Sequence, residues 1–432
     1  MAKVEIFLNK PKGYLHFFTI FAAPSVNGNG SLIHNKMKLK PIYAIVLAIL
    51  AIGCTPKKDI ISENVENARI QLQLLIDASE EGDTVRIPST FKNGEIEFVP
   101  TDDWVSGFFA GTLWYMYELT GEETWAEHAL KHTEILRDIQ FLKWHHDVGF
   151  MVYDSYGNGL RLKNIPGYDT VLVNTAKSLA TRFRPAAGIL QSWNVVNNGW
   201  QSTRGWKCPV IIDNMMNLEL LMSVGDMFNN DTLRTIAKTH ADTTIKNHFR
   251  PDYTSFHVVD YNPETGEVNM KCTHQGYSDE SAWARGQAWG LYGYTMMYAF
   301  SGEERYLAQA ENIAKALIPR LPEDGIPFWD FDAPNGEEHR DTSAGAIMAS
   351  ALVQLSTLTK DAEASKCYLA TAEKQMRSMA TPKYLAEPGT NCSFLLRRSV
   401  GHFKGNSEID VPLTYADYYY LEALLRYRAL NK

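Results

Sequence analysis

Five cysteines in 432 residues leave little for a disulfide framework or a thiolate metal site. With Cys54 set aside, Cys208, Cys272, Cys367 and Cys392 remain; no two stand in a Cys-x-x-Cys pair, and all four are read as packing residues. Positive charge is also scarce. Lys and Arg number 42 against 50 Asp and Glu, a formal net charge of −8, so no broad field favours nucleic acid and an anionic ligand would need local basic groups. A phosphate-binding glycine loop is missing, because Gly157-Asn-Gly159 lacks a strand–turn–helix context. A metal motif is missing too. His128 and His132 lie at i and i+4 without the His-Glu-x-x-His pattern and read as a solvated face, while the adjacent side chains of His145-His146-Asp147 diverge. No cofactor is implied. After Ile60 there is neither low-complexity sequence nor an inter-domain linker.

One stretch is apolar enough to suggest targeting. Met37-Lys-Leu-Lys-Pro-Ile-Tyr-Ala-Ile-Val-Leu-Ala-Ile-Leu-Ala-Ile-Gly-Cys54 has a basic start, a short apolar core, small residues and a cysteine. This is the pattern of a secretory signal, too short for a firm membrane span; a plain membrane anchor is the competing reading. Ala51-Ile-Gly-Cys54 resembles a relaxed lipobox, which implies lipidation of Cys54. Met37 is read as the natural start, with 1–36 a non-native or disordered extension, 37–53 the signal, 54–60 a tether and 61–432 one catalytic domain. The protein is expected on the periplasmic side of a bacterial outer membrane, held to it only by lipid. Removing residues 1–53, which hold six lysines and one glutamate, leaves a net charge of −13.

From Asn64 onward, helix signals dominate. Val105–Leu119 is apolar and aromatic, stops at Thr120-Gly121 and leads into charged Glu122–Gln140. The pairing recurs at Asp213–Phe228 with Asp231–His248, Ser281–Phe300 with Glu303–Arg320, and Asp341–Thr359 with Asp361–Met379. A helix apolar all round must be buried, and one with a charged face lies outside. With Asn64–Ser79, Gly149–Arg161, Thr170–Phe183 and Pro412–Leu430, six inner and six outer helices would close an (α/α)6 barrel; an open solenoid is the rival architecture. Tyr253–Thr273 alternates around Asn262-Pro-Glu-Thr-Gly266 and reads as a β-hairpin on the rim.

Polar clusters recur where the inner helices begin: Asp102-Asp103, His145-His146-Asp147, Asp213, Thr273-His-Gln-Gly276 beside Arg285, Arg340-Asp341, and Asn406-Ser-Glu-Ile-Asp410. Parallel inner helices would bring them to one mouth. Trp104, Phe108, Phe109, Trp144, Trp206, Trp283, Trp289, Trp329 and Tyr415 crowd the same segments, as either core packing or sugar-stacking faces. Asp213 ends an apolar run and opens a helix. It reads either as an N-cap or as an acid/base group whose pKa a neighbouring Asp147 would raise, against the pull of the helix dipole.

Taken in order, Gly107-Phe108 with Leu113-Trp114, His145-His146-Asp147-x-Gly149-Phe150, Ile211-Ile212-Asp213, Thr273-His-Gln-Gly276, Arg285-Gly-Gln-Ala-Trp-Gly290, Glu323-Asp-Gly325 with Trp329-Asp330, and Asp417-Tyr-Tyr-Tyr-Leu-Glu-Ala-Leu-Leu425 resemble the unsaturated glucuronyl hydrolases of glycoside hydrolase family 88. The resemblance runs from about residue 60 to the C-terminus. It implies an (α/α)6 barrel that hydrates the C4–C5 double bond of a lyase-generated uronic acid, a chemistry unlike two-carboxylate displacement. It also implies Asp213 as the group that protonates C4 and activates water, Asp147 as the second essential aspartate, and Gln275, Arg285 and Trp289 as substrate contacts, with His146 and His257 as pocket histidines. Arg285 would grip the uronate carboxylate with its fork.

The chain departs from the family where many members have Thr-Asp-Gly-Phe-Trp. Here Val105-Ser-Gly-Phe-Phe109 stands instead, and Phe109 would keep a stacking face without an indole N–H. A tyrosine common before the final helix is replaced near Pro412. Arg397, Arg398, His402 and Lys404 read either as an ordinary basic loop or as contacts to sulfate on a glycosaminoglycan fragment. Two rivals stand beside the glucuronyl reading: a rhamnogalacturonyl hydrolase acting on pectin fragments, and a non-catalytic glycan-binding lipoprotein.

Overall fold

A computed structural model describes residues 59–334 and 339–430. The extension, the signal and Cys54 lie outside the described residues.

Helices come in the alternation that the sequence spells. α1 (Ile60–Ser79), α2 (Ser106–Thr120) and α3 (Glu123–Glu134) are followed by α4 (Val148–Val152), a π-helical turn (Tyr153–Gly157) and α5 (Asn158–Lys163). Next come α6 (Tyr168–Ala180), the short α7 (Trp200–Thr203), α8 (Asn214–Met227) and α9 (Asp231–His248). Last are α10 (Ala284–Ser301), α11 (Glu304–Leu317), α12 (Thr342–Leu358), α13 (Ala362–Met379) and α14 (Thr414–Leu430). Side-chain caps fix several starts: Asn230 accepts from the Leu233 amide at 3.2 Å, and Asp361 from Glu363 at 2.9 Å. Each such cap stabilises by roughly 0.5–2 kcal/mol. Gly121 and Gly302 end α2 and α10 in the left-handed region.

The inner ring runs α2, α4–α5, α8, α10, α12 and α14, and α14 packs back against α2, so it closes. The solenoid reading is thereby set aside. In α10 every residue from Ala284 to Met297 is buried, which is why its sequence shows no polar face. Two glycines let inner helices touch. A Cβ on Gly107 would lie 2.2 Å from the Met151 carbonyl oxygen, and one on Gly149 2.4 Å from Asn217 Oδ1. At the end of the ring opposite the helix N-termini, the Glu422 carboxylate accepts from Tyr115 at 2.9 Å, Tyr292 at 3.0 Å, Ser350 and Arg426, pinning four inner helices together. The outer layer closes through α1, whose Asn67 and Gln71 amides donate to the carbonyls of Ala386, Thr390 and Phe394 near the chain's other end.

Hairpins crown the mouth. β1 (Ile87–Lys92) pairs with β2 (Glu95–Val99), and β3 (Phe183–Arg184) with β4 (Ile189–Leu190). β5 (Pro209–Ile211), β6 (Val258–Tyr261) and β7 (Val268–Cys272) form one antiparallel sheet, so the expected rim hairpin gains a third strand. β8 (Ser399–His402) pairs with β9 (Ser407–Val411).

Two readings of single residues need correction. His132 is buried instead of solvated, its ring held between Phe109 at 4.8 Å and the Glu80 carboxylate at 3.6 Å. Cys208 and Cys272 pack as expected, but Cys367 is exposed and Cys392 half-buried.

Candidate active site

β5 runs into Asp213, and β6 is preceded by His257. Pairing of Val210 with Val259 and of Ile211 with Val258, extended by the Ile212 amide donating to the His257 carbonyl at 3.0 Å, sets the two side chains beside each other. Asp213 occupies the N-cap position of α8, yet its side chain makes no cap bond and its backbone is already helical (φ −53°, ψ −29°). The capping role therefore does not account for this aspartate. The residue is only 9 % exposed, and Oδ2 has no hydrogen-bond partner. His257 Nε2 stands 3.8 Å from that oxygen. Because His257 Nδ1 accepts from the amides of His274 (3.2 Å) and Gln275 (3.1 Å), the ring proton sits on Nε2 and faces Asp213. Burial holds His257 far below the usual histidine range, so the ring is neutral.

Asp147 precedes α4 and is 7 % exposed. Its Oδ1 accepts from Asn217 Nδ2 at 2.9 Å and lies 3.2 Å from His146 Nδ1. His146 Nδ1 also meets Asn214 Oδ1 at 2.8 Å, and burial lowers its pKa to about 3. Both aspartates line one cavity of about 230 Å³ with His146, Gln275 and Arg285. Pockets for drug-sized molecules run to roughly 300–1,000 Å³, so this one has room for about one sugar ring. Burial pushes Asp213 up to about 7; Arg285 opposes this, Asp147 adds to it, and the Trp289 indole opposes it. Burial raises Asp147 as well, against His145 and the Asn217 donor, so the site holds one carboxylic acid near neutrality next to a second carboxyl, which suits proton transfer to and from a reacting group.

Arg285 does line the cavity, but its fork is engaged. One terminal nitrogen donates to the Val400 carbonyl and the other to Gly401 at 2.7 Å, with Asp341 at 3.7 Å. The two-pronged grip expected on a uronate is made on the protein's own β8, a strand not read from the sequence. Gln275 donates to the same Gly401 carbonyl at 3.1 Å. Trp289 is 0 % exposed and packs under the site on Phe150 and Tyr419, so it touches Asp213 and not the cavity. Phe109 is 2 % exposed and points outward to His132. Its predecessor Phe108 faces the aromatic cluster of Trp104, Phe150 and Tyr415 instead, since one residue turns the direction by about 100° on a helix. Neither Trp289 nor Phe109 is a sugar contact here.

Two wall residues escaped the sequence reading. Trp193 and Trp200 lie in the irregular stretch before β5, and Trp200 stacks on His274 at 4.7 Å. Their signal was the Trp density of 193–206, which carries no periodicity. Glu408 of β9, by contrast, belongs to the expected Asn406–Asp410 cluster and does reach the cavity. Of the four basic residues near the last loop, Arg398 is paired with Asp410 at 3.1 Å and Arg397 donates to Thr390. His402 Nε2 lies 3.3 Å from the carbonyl of His274, and Lys404 is exposed. Among the described residues no group of three or more His, Cys, Asp and Glu is placed to hold a metal ion.

Comparison with known proteins gives concordant results. The Glycosyl Hydrolase Family 88 profile matches residues 83–422. An unsaturated glucuronyl hydrolase of Formosa agariphila is 42% identical over 334 residues, covering 76% of this chain and 80% of that one. The unsaturated glucuronyl hydrolase of a Bacillus species is 32% identical, covering 77% and 89%. Among solved structures, an unsaturated glucuronyl hydrolase specific for heparin superposes with a TM-score of 0.81 at 45% identity, covering 86% of this chain and 98% of that one. Ring closure, the shared cavity of two buried aspartates and these matches lead to one statement: the chain belongs to glycoside hydrolase family 88 and is a glycosidase built as an (α/α)6 barrel.

Proposed function

We propose that the protein removes the C4–C5-unsaturated uronic acid from the non-reducing end of lyase-generated glycosaminoglycan oligosaccharides. The observation that carries this reading is Asp213, a carboxyl raised to about 7 in a cavity of one-ring size beside Asp147. Asp213 gives its proton to C4 of the vinyl ether. The positive charge formed at C5 is shared by the ring oxygen and faces the Asp147 carboxylate. Water adds to C5 and returns a proton to Asp213, which restores the acid. The product is a hemiketal; it opens, and the glycosidic bond breaks with release of the next sugar.

The relatives' substrates support this class. Their names span unsaturated glucuronyl hydrolases and the unsaturated chondroitin disaccharide hydrolase of Streptococcus pyogenes, 29% identical. The aromatic wall of Trp193 and Trp200 supplies stacking faces for a sugar. Lipidation at Cys54 and a periplasmic location on the outer membrane form part of the same proposal, resting on the signal-like residues 37–54. Labelling with a radioactive fatty acid in wild-type and Cys54→Ala cells tests that part.

Ultraviolet absorbance tests the reaction. Hydration destroys the conjugation between the C4–C5 double bond and the carboxylate, so mixing protein with lyase products should erase the signal. A sugar-binding protein without activity would leave it intact. Asp213→Asn should lower the rate by at least about 10²-fold, the lower end for losing a positioned acid/base, with the circular dichroism spectrum unchanged. A variant retaining wild-type rate would remove Asp213 from the mechanism. A panel of pectin-derived and glycosaminoglycan-derived disaccharides separates the rhamnogalacturonyl alternative.

A further inference from the structure

Asn217 lies four residues after Asp213, one turn along α8, and is 0 % exposed. Its amide makes two bonds that leave no choice of orientation. Nδ2 donates to Asp147 Oδ1 at 2.9 Å, and Oδ1 accepts from the Phe150 amide at 3.1 Å, one of the N–H groups at the start of α4 that lack a partner within the helix. The reach of this side chain depends on a missing atom. Gly149 sits against it, and a Cβ there would come within 2.7 Å of the Asn217 Cα. The glycine two residues after Asp147 thus opens the space through which α8 holds Asp147.

The other groups around the two carboxyls do not duplicate this contact. His145 Nδ1 accepts from the Asp147 backbone amide, and burial keeps His145 largely unprotonated, at about 4. His146 is neutral and shared with Asn214. Arg182 acts on Asp147 only at a distance, with its donors spent on the carbonyls of Lys143, Gln191 and Ser192. Asp103 adds repulsion from the neighbouring loop. On the Asp213 side stand Arg285 and neutral His257.

We propose that Asn217 is the positioning residue of this site: its N–H holds the Asp147 carboxyl in a fixed orientation beside Asp213, and so supports Asp213 as the proton donor. The inference rests on the hydration reading of Asp213 and Asp147. The signs follow from the contacts. Burial raises Asp147; His145, the Asn217 donor and Arg182 oppose this and favour its charged form, and the charge on Asp147 adds to the burial that raises Asp213. Without the donor, Asp147 takes up a proton more readily, its charge fades, and Asp213 ionises at lower pH.

The test is the pH profile of kcat/KM for Asn217→Leu, which keeps approximate volume and removes the donor. The high-pH limb, where rate is lost as Asp213 ionises, should move down by roughly one pH unit, the size expected of strongly interacting carboxyls. If the leucine variant does not fold, Asn217→Ala and Asn217→Ser make the same comparison with smaller side chains. The limb should move in the alanine variant and stand nearer to wild type in the serine variant, whose hydroxyl can donate. A limb at the wild-type pH in the folded variants without a donor, even with reduced kcat, would show a purely structural asparagine and overturn the proposal. Failure of the wild-type protein to bleach the unsaturated uronate would instead sink the hydration reading, before Asn217 enters.

Discussion

At the residue scale, the decisive quantity is the proton on Asp213. An acid that must donate loses activity as pH rises through its pKa, here about 7. We expect kcat/KM on an unsaturated disaccharide to fall on the alkaline side with an apparent pKa near that value, measured by loss of ultraviolet absorbance across a buffer series. His257 presents Nε2–H to the carboxyl, and His257→Leu removes that ring donor from beside Oδ2. That variant should lose rate by about 10-fold or more, at roughly 1.4 kcal/mol per factor of ten. Trp200→Ala should mainly raise KM, since Trp200 lines the cavity wall as a stacking face and carries no acid or base. Asp147 and Asp213 were legible in the sequence because each stands where an apolar helix begins, and geometry then brings such points to one mouth. Phe109 and Trp289 were not. A helix buried on all sides gives no pattern that separates the face toward the lumen from the face toward the outer layer. Trp193 and Trp200 were missed for a different reason, as loop residues outside any repeat.

At the scale of elements, the sequence showed helices better than strands. Apolar runs ending at Gly121 and Gly302 gave boundaries within a few residues. The hairpin of β6 and β7 was visible from its alternation and its Asn262–Gly266 turn. β8 and β9 stayed hidden because Arg398, Asn406, Glu408 and Asp410 take positive φ and break the two-residue period. That hairpin supplies the carbonyls that occupy Arg285, so missing it meant misreading the arginine. Gly149–Arg161, read from the sequence as one helix, is interrupted by the π-helical turn at Tyr153–Gly157. Close approach of α2 and α4 depends on Gly107. Gly107→Ala puts a methyl carbon against the Met151 carbonyl and should destabilise the protein by roughly 1–3 kcal/mol, read as a lower midpoint in urea unfolding.

At the scale of the whole molecule, the end of the barrel opposite the active site carries its own electrostatic cost. Glu219 is raised to about 7 by burial and by the neighbouring Glu422, with Arg426 and Arg161 opposing. A carboxyl with a raised folded-state pKa contributes its stability in full below the ordinary value of 4.5, and that contribution is lost as pH rises through about 7. The melting temperature should therefore decline over that window, and Glu219→Gln should flatten the decline in a thermal scan. The hydrogen bonds of Glu422 join four helices. Glu422→Ala strands a guanidinium and several hydroxyls, at an expected loss of about 3 kcal/mol.

Ring closure has a further consequence for how such a chain is made. Ser106–Thr120 has no inner-ring neighbour on one side until Thr414–Leu430 arrives, the last inner helix of the described residues to be made. Until that segment emerges, the apolar flank of Ser106–Thr120 that it covers stays bare and the ring cannot close. Synthesis from the N-terminus therefore yields no self-sufficient half, and a nascent chain cut at Val411 should remain sensitive to protease along its whole length. Late closure leaves the chain dependent on chaperones until the helix that completes the ring has been made.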